Sequence, residues 1–552
     1  MMRSAGILMP LTSLPSPWGV GTLGAEARAF VDFLARAGQT YWQVLPIGPT
    51  SYGDSPYQSF SSFAGSPYLI DLDDLCAEGL LKPEEYQGLD WGEDPERVDY
   101  GLLYRQRFPV LRQAVRRLRA RRLEELAAFC AREADWLDDY ALFMALKGRH
   151  DGAPWSQWPA PLRRREPAAL AAAARELDGE LWFWKGVQFL FFRQWEALKA
   201  RAAEQGVAII GDLPIYVAED SADVWADPSQ FQMDEALRPT GVAGCPPDGF
   251  SADGQRWGNP LFDWEAMKAD GYRWWLRRIS FQFRFYDVLR IDHFRGFEAY
   301  YTIPAGAENA KKGFWKPGPG LDFFRALEAA IGKRPIIAED LGFLTPAVHQ
   351  LLADTGLPGM KVLQFAFDSR DGGGRAYQPH NYPANCVAYV GTHDNDTALG
   401  WLAEAEPADV ALAREYLHLD PAEGENWGMM RAVWASTADC AVVQMQDVLD
   451  LGNEARMNTP STLGATGSGG PGPALPRRSW PPASTGRWSS MSACRRKPLS
   501  KGIKKAPDGT IRRFFRAEPR TGRLSCLCGP DPLGRWRRRC RCRRPPACPP
   551  RR

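Results

Sequence analysis

The chain has 552 residues, of which 45% are hydrophobic and 24% charged, and its net charge at pH 7 is +2. This composition excludes a disordered or fibrous protein, and no apolar run reaches the roughly 18 residues of a membrane-spanning helix. The N-terminal stretch has a single arginine and a short apolar run broken by Pro10, which is not typical of a signal peptide. We therefore expect a cytoplasmic protein with no membrane partner.

The charge is divided unevenly along the chain. Residues 461–552 contain 23 lysines and arginines against three acidic residues, whereas residues 1–460 contain 45 against 63. The five cysteines before residue 461 show no pair spacing, as is usual for reduced cytosolic proteins. The sequence therefore predicts two unlike segments that meet near residue 460.

Seven apolar runs in the first segment have the character of strands buried on both faces. Helical patterns separate them, for example over residues 185–205. This alternation predicts an α/β fold, a (β/α)₈ barrel, with a mostly helical insertion at about 72–180. The runs are YWQVLPI (41–47), VAIIGDLPIYV (207–217), DVLRIDHF (287–294), PIIAEDLG (335–342), MKVLQFAF (360–367), NCVAYVGTHDND (385–396) and CAVVQMQDV (440–448).

Acidic side chains and histidines cluster where four of these runs end. Any one acid is most simply explained as the cap of the following helix. Four strands that end in this way favour a shared cleft, because barrel active sites lie at the carboxyl ends of the strands. The clustered residues are Asp212, Asp292, His293, Glu339, Asp340 and the run from His393 to Asp396.

Three of these carboxylates fit glycosidic bond chemistry. Arg290 and Asp292 share a strand face, so the guanidinium should lower the pKa of Asp292, as suits a nucleophile. Glu339 follows three apolar residues, so desolvation should raise its pKa and retain a proton. Asp394 would add a charge that stabilises a cationic transition state. Two carboxylates in opposed environments are the requirement for cleaving a glycosidic bond.

Nine strings in the same order resemble the 4-α-glucanotransferases, the amylomaltase or disproportionating-enzyme family, which is related to the α-amylases. The resemblance covers about residues 4–460. The first string covers residues 4–24. The other eight are QVLPIGPTSYGDSPYQSFSSFAG (43–65), GDLPIYVAEDSADVWADP (211–228), GQRWGNPLFDW (254–264), RIDHFRGF (290–297), IIAEDLG (336–342), PGMKVLQFAF (358–367), GTHDNDT (391–397) and EARMN (454–458).

The resemblance implies retaining transfer of α-1,4-glucan segments to the 4-hydroxyl of an acceptor glucan or glucose. It implies that Asp292 is the nucleophile, Glu339 the general acid and base, and Asp394 the stabiliser of the transition state. Trp257 is expected in a Gly- and Asn-rich loop, and Phe250 follows a glycine where the family usually has tyrosine. The implied sugar-binding residues are Arg290, His293, His393, Tyr57, Asp212, Phe250, Gln255, Trp257 and Asn458.

Other interpretations of the same residues stay open. A hydrolase of the amylase type would use the same three carboxylates, and an altered C-terminus would leave a catalytically impaired glucan-binding protein. The Asp–His pairs lack the ligand spacing of a metal site, and no glycine motif for phosphate binding is present. We therefore expect neither a metal nor a cofactor.

Residues 461–552 have no periodicity and contain 14 prolines. A basic segment of this kind can bind nucleic acid. However, the change in composition comes where the family continues with a Trp-rich segment and a final helix, which favours a frameshift. We expect a disordered segment that does not serve nucleic-acid binding.

Restoring the reading frame after Leu463 should therefore stabilise the protein. The final helix would cover the last strand, and several hundred Å² of apolar surface is worth several kcal/mol at about 25 cal/mol per Å². The two chains are compared in solubility, melting temperature and disproportionation of maltotriose. Equal values would mean that the altered segment is tolerated.

Overall fold

The computed structural model describes residues 3–51, 54–92, 94, 97–247, 252–342, 344–369 and 374–459. These residues all belong to one compact unit of the chain. Phe250 and the segment 461–552, on which the sequence made predictions, lie outside the described residues.

The described residues form twelve strands in two sheets. The strands are β1 (Ser4–Leu8), β2 (Tyr41–Gln43), β3 (Ala208–Leu213), β4 (Gly241–Cys245), β5 (Gln255–Pro260), β6 (Val288–Ile291), β7 (Ala299–Pro304), β8 (Phe314–Pro317), β9 (Ile336–Ala338), β10 (Gly359–Val362), β11 (Cys386–Tyr389) and β12 (Cys440–Gln444). Eight strands are parallel, in the order β10-β11-β12-β1-β2-β3-β6-β9. The Ala338 N–H donates to the Pro358 carbonyl at 2.9 Å, which brings the two end strands together and closes the barrel.

The predicted (β/α)₈ barrel is confirmed, and each of the seven apolar runs overlaps one barrel strand. The eighth strand, β1, was not recognised, because its five residues include Ser4 and Gly6 and form no extended apolar run. Several strands are shorter than the runs. The run at 360–367 leaves the sheet after Val362 and continues as a 3₁₀ helix, in which Phe367 packs against Trp401 and Tyr416.

A second sheet of four antiparallel strands, in the order β5-β4-β7-β8, was not predicted from the sequence. Its strands lie between β3 and β9 along the chain, in two excursions from the barrel. Gly, Pro and charged residues interrupt these strands, so their apolar pattern is weak. This sheet carries two of the residues implied in sugar binding, Gln255 and Trp257.

Helices surround the barrel, and most of the helical sequence lies between β2 and β3. The predicted helix at 185–205 corresponds to all but the first seven residues of the helix Asp178–Glu204, which packs mainly against the helices Ala134–Arg149, Tyr100–Arg121 and Ala25–Arg36. None of the described helices has the length and apolarity required to cross a membrane. The helices are α1 (Ala25–Arg36), α2 (Leu72–Ala77), α3 (Tyr100–Arg121), α4 (Leu123–Arg132), α5 (Ala134–Arg149), α6 (Ala160–Arg163), α7 (Pro167–Glu176), α8 (Asp178–Glu204), α9 (Ala222–Ala226), α10 (Trp264–Ala269), α11 (Arg273–Phe285), α12 (Gly320–Ile331), α13 (Pro346–Thr355), α14 (Ala398–Glu404), α15 (Pro407–Leu417), α16 (Glu425–Ala435) and α17 (Met445–Val448).

Alternate residues of the barrel strands face either the interior or the helices, as the pleat requires. The interior holds an apolar cluster from all eight strands or their ends, including Leu8, Ile210 and Val442. A polar contact crosses it, because the Tyr389 hydroxyl donates to Gln43 Oε1 at 2.9 Å. The interior is therefore filled, and only the rim at the carboxyl ends of the strands is available for a ligand.

The closure between β9 and β10 also involves a buried carboxylate. Asp340, 3% exposed, accepts the Met360 N–H at 2.6 Å. Asp340→Ala should lower the free energy of unfolding by about 1–3 kcal/mol, because it leaves that buried donor unsatisfied. Chemical denaturation measures the change. Asp354→Ala, on the exposed surface of α13, serves as the control and should change stability by less than about 0.5 kcal/mol.

Candidate active site

Two of the three predicted catalytic carboxylates follow neighbouring strands. Ile291 of β6 pairs with Ala338 of β9, so Asp292 and Glu339 occupy the next matched positions. The Glu339 N–H donates to the Ile291 carbonyl at 3.0 Å and continues the ladder. Because adjacent strands lie about 4.8 Å apart, both carboxyl groups extend from the same part of the rim. Asp394 follows β11, which lies two strands beyond β9 around the closed barrel.

A buried arginine connects two acids at this rim. Arg290 of β6 is in register with Asp212 of β3. Its Nη1 lies 2.6 Å from Asp212 Oδ1 and 2.9 Å from Asp292 Oδ1. Arg290 and Asp212 are almost completely buried, whereas the Asp292 side chain remains 28% exposed. The buried ion pair thus fixes a carboxylate that a ligand can reach.

The hydrogen bonds continue from Asp212 to Asp394. The Tyr57 hydroxyl donates to Asp212 Oδ2 at 2.8 Å and lies 2.7 Å from His393 Nε2, with the two rings stacked. Since the hydroxyl proton goes to Asp212, His393 Nε2 carries the proton that Tyr57 accepts. That nitrogen is also 3.2 Å from Asp394 Oδ2, and Asn458 Nδ2 donates to Asp394 Oδ1 at 2.5 Å.

These contacts keep Asp394 ionised. Desolvation opposes its charge, but His393, Asn458 and Arg290 together hold its pKa below the ordinary value. Burial likewise opposes the charge of His393, yet Asp394 raises the pKa of that histidine. Asp394 therefore supplies a fixed negative charge at the rim throughout the neutral range.

The pKa of Asp292 differs from the prediction. Desolvation raises it to about 6, and the charges of Asp212 and Asp394 add to this effect. Arg290 does lower the pKa of Asp292, as predicted, but its guanidinium is shared with Asp212 and does not offset the desolvation. Desolvation also raises the pKa of Glu339, to about 7, in the predicted direction. Glu339 thus keeps its proton to higher pH than Asp292 does.

Glu339 is oriented by main-chain groups. Its Oε2 accepts the His293 N–H at 2.7 Å, and its Oε1 accepts the Leu341 N–H at 2.9 Å. His293 has a φ of 55°, in the left-handed region that is unfavourable for a residue other than glycine. In this conformation the His293 N–H points to the carboxyl group of Glu339 and donates a hydrogen bond to it.

Trp257 lies on strand β5, not in a loop as predicted. The residue that indicated a loop, Gly258 with a φ of 82°, lies where the pairing of β4 and β5 changes register, as at a β-bulge. The Trp257 ring meets the His293 ring edge-on at 4.9 Å, and its Nε1 donates to Gln255 Oε1 at 3.0 Å. The second sheet therefore supplies one wall of the cleft.

Comparison with known proteins supports a family assignment. The model of the glycoside hydrolase 77 family, described as 4-alpha-glucanotransferase, matches residues 9–467. The chain belongs to this family. The 4-alpha-glucanotransferase of Thermus thermophilus is 52% identical over 469 residues, which are 83% of this chain and 92% of that one. The enzyme of the same name from Clostridium butyricum is 46% identical over 462 residues, covering 83% and 94%.

A solved structure agrees with this assignment. The amylomaltase of Streptococcus agalactiae in complex with acarbose has a TM-score of 0.83 and 39% identity to this chain. The superposition covers 89% of this chain and 97% of that structure. The family fold therefore extends over nearly all of the neighbour and over the described residues.

Eleven of the twelve predicted site residues lie in the described part of the chain, and all eleven fall into two series of contacts. The first series runs from Asp292 to Asn458, and the second runs from Glu339 to Gln255 on the second sheet. The series are Asp292–Arg290–Asp212–Tyr57–His393–Asp394–Asn458 and Glu339–His293–Trp257–Gln255.

Three residues next to this site were not predicted from the sequence. Gln364, Gln444 and Arg456 bond to the loop that carries Asp394. Arg456 stands inside the string EARMN, which was the available signal. Among the described residues, no three His, Cys, Asp or Glu side chains are grouped to hold a metal ion.

Proposed function

We propose that this chain transfers segments of α-1,4-glucan between chains by a retaining double displacement. The observation that carries the proposal is the placement of Asp292 and Glu339 at matched positions on neighbouring strands. Adjacent strands favour the short carboxyl separation of retaining enzymes over the wider separation of inverting ones. The family membership and the acarbose complex of the Streptococcus agalactiae amylomaltase support the substrate class.

In the first step, Asp292 attacks the anomeric carbon of the donor. Arg290 binds Oδ1, so we assign the attack to Oδ2. The glycosidic bond breaks as Glu339 gives its proton to the leaving oxygen, which departs as the 4-hydroxyl of a shorter glucan. The fixed charge of Asp394 stabilises the positive charge that develops on the sugar.

In the second step, Glu339 is a carboxylate and acts as the base. It takes the proton from the 4-hydroxyl of the acceptor, whose oxygen attacks the anomeric carbon while the bond to Asp292 breaks. Two inversions at the same carbon retain its configuration. We propose that nine further residues bind the sugar near the anomeric carbon. They are Tyr57, Asp212, Phe250, Gln255, Trp257, Arg290, His293, His393 and Asn458.

A hydrolase would follow the same steps with water as the acceptor. Incubation with maltotriose distinguishes the two activities, because transfer yields glucose together with longer oligomers, whereas hydrolysis yields only shorter sugars. The absence of any product would indicate a binding protein and would contradict the proposal.

The sequence division near residue 460 fits the family match, which ends at residue 467. We propose that residues 1–460 form the catalytic barrel and that residues 461–552 derive from a frameshift. Four of the described cysteines, Cys76, Cys130, Cys386 and Cys440, form no disulfide, which supports the proposal of a reducing compartment such as the cytoplasm.

Asp292→Asn and Glu339→Gln should each abolish transfer with the fold intact. Loss of the nucleophile prevents the covalent intermediate, and loss of acid–base assistance alone costs about 10²–10⁴-fold in rate. Maltotriose kinetics and circular dichroism measure activity and folding. Glu328→Gln, on the exposed face of α12, is the control and should behave like the parent. Rates within a few-fold of the parent in either site variant would refute the assignment.

The activity should have a bell-shaped pH dependence. Asp292 must be ionised, so activity falls as the pH drops below its pKa of about 6. Glu339 must be protonated for the first step, so activity falls as the pH rises above its pKa of about 7. The profile of kcat/KM for maltotriose should therefore have its maximum between these values. A flat profile from pH 5 to pH 9 would contradict these roles.

A further inference from the structure

The loop that carries Asp394, residues 392–397, is held by side chains from distant parts of the chain. Gln444 Nε2 donates to carbonyl groups at both ends of the loop, at 3.0 and 3.2 Å. Gln364 Nε2 donates to the Asp396 carbonyl at 2.9 Å. These bonds fix the ends of the loop but do not reach its centre, where Asp394 lies.

Arg456 provides the contact at the centre. Its three guanidinium nitrogens each bind a different group: Nη1 pairs with the Asp396 carboxylate, Nη2 donates to the Asp394 carbonyl at 2.6 Å, and Nε donates to the Asn458 carbonyl at 2.8 Å. The arginine side chain is 23% exposed, so its contacts are partly shielded from water. A planar fork of donors is well suited to hold three acceptors at once.

The two main-chain contacts have a common target. Asn458 donates its side-chain amide to Asp394 Oδ1 at 2.5 Å. Arg456 therefore fixes the backbone of Asp394 and also the backbone of the residue that binds the Asp394 carboxylate. We propose that Arg456 is a positioning residue of the transfer reaction, which places the Asp394 carboxylate through these two backbone contacts. The inference rests on the role of Asp394 in the proposed function.

Kinetics of the full chain with maltotriose test this role. Asp394 acts on charge in the transition state, so its displacement should lower kcat and leave KM nearly unchanged. We expect Arg456→Ala to reduce kcat by about 10- to 100-fold, as a misplacement of about 1 Å can do, with KM within about threefold. Added guanidinium ion, at concentrations that do not denature the protein, should restore part of the kcat.

Arg431→Ala is the matched control. Arg431 of α16 forms a two-nitrogen ion pair with Glu423, and within the described part of the chain this ion pair does not involve the 392–397 loop. Its loss removes an ion pair of similar kind, so kcat should stay at the parental value. If kcat falls by the same factor in Arg456→Ala and Arg431→Ala, the loss comes from reduced stability and not from the position of Asp394, and the proposal is wrong.

Arg456→Lys gives a second test if the alanine variant does not fold. Lysine keeps the charge beside Asp396 but cannot supply three planar donors, so kcat should lie between the parent and the alanine variant. If the Arg456→Ala variant folds and has the parental kcat, the proposal is wrong. If the alanine variant is insoluble, a parental kcat in the Arg456→Lys variant leads to the same conclusion. A rise in KM with kcat unchanged also overturns the proposal.

Asp394→Asn separates the two hypotheses. If this variant is inactive while the Arg456 variants behave like the parent, only the positioning role fails. If Asp394→Asn itself keeps parental kcat, the proposed function of Asp394 fails, and the role of Arg456 fails with it.

Discussion

The site depends on a single buried guanidinium. Arg290 lies on a strand whose neighbours present Asp212 on one side and Glu339 on the other, and one of its nitrogens contacts both Asp212 and Asp292. A buried charge without a partner has a large desolvation cost, so the guanidinium of Arg290 and the carboxylates that it contacts stabilise one another. Because the register of β3 and β6 fixes the pair Asp212–Arg290, the position of Asp292 follows from the pairing of these two strands.

The same burial also sets the pKa values of the two carboxyl groups that are proposed to react. Arg290 contacts Asp292 directly, and the Glu339 carboxyl group accepts two main-chain N–H groups. Desolvation raises both pKa values, Arg290 lowers both, and Asp292, which has the lower ordinary pKa, remains the more acidic of the two. The rim can thus hold one ionised and one protonated carboxyl near neutral pH, which is what a double displacement needs from its two groups.

Much of this could be predicted from the sequence, and the exceptions have physical reasons. Local patterns located seven barrel strands, because a strand buried on both faces leaves an apolar run; β1 contains Ser4 and Gly6 and left none. Spacing placed Arg290 beside Asp292, but the net pKa of Asp292 depends on how the whole rim is desolvated. The position of Trp257 was misjudged because Gly258, which usually marks a loop, here forms a bulge within a strand.

The residues that spacing missed share a further property: they act on a loop far from them in the sequence. Gln364, Gln444 and Arg456 reach residues 392–397 from the ends of two other strands and from the segment after β12. Such contacts exist only once the barrel has closed, so the strand and helix patterns do not predict them, although Gln364 and Arg456 lie in strings that resemble the family. Two of the last described residues contact Asp394, since Arg456 donates to its carbonyl and Asn458 donates to its carboxylate. Both residues lie only a few positions before the composition of the sequence changes. The proposed chemistry of the rim therefore requires residues 454–458 to keep the family sequence, whatever follows them.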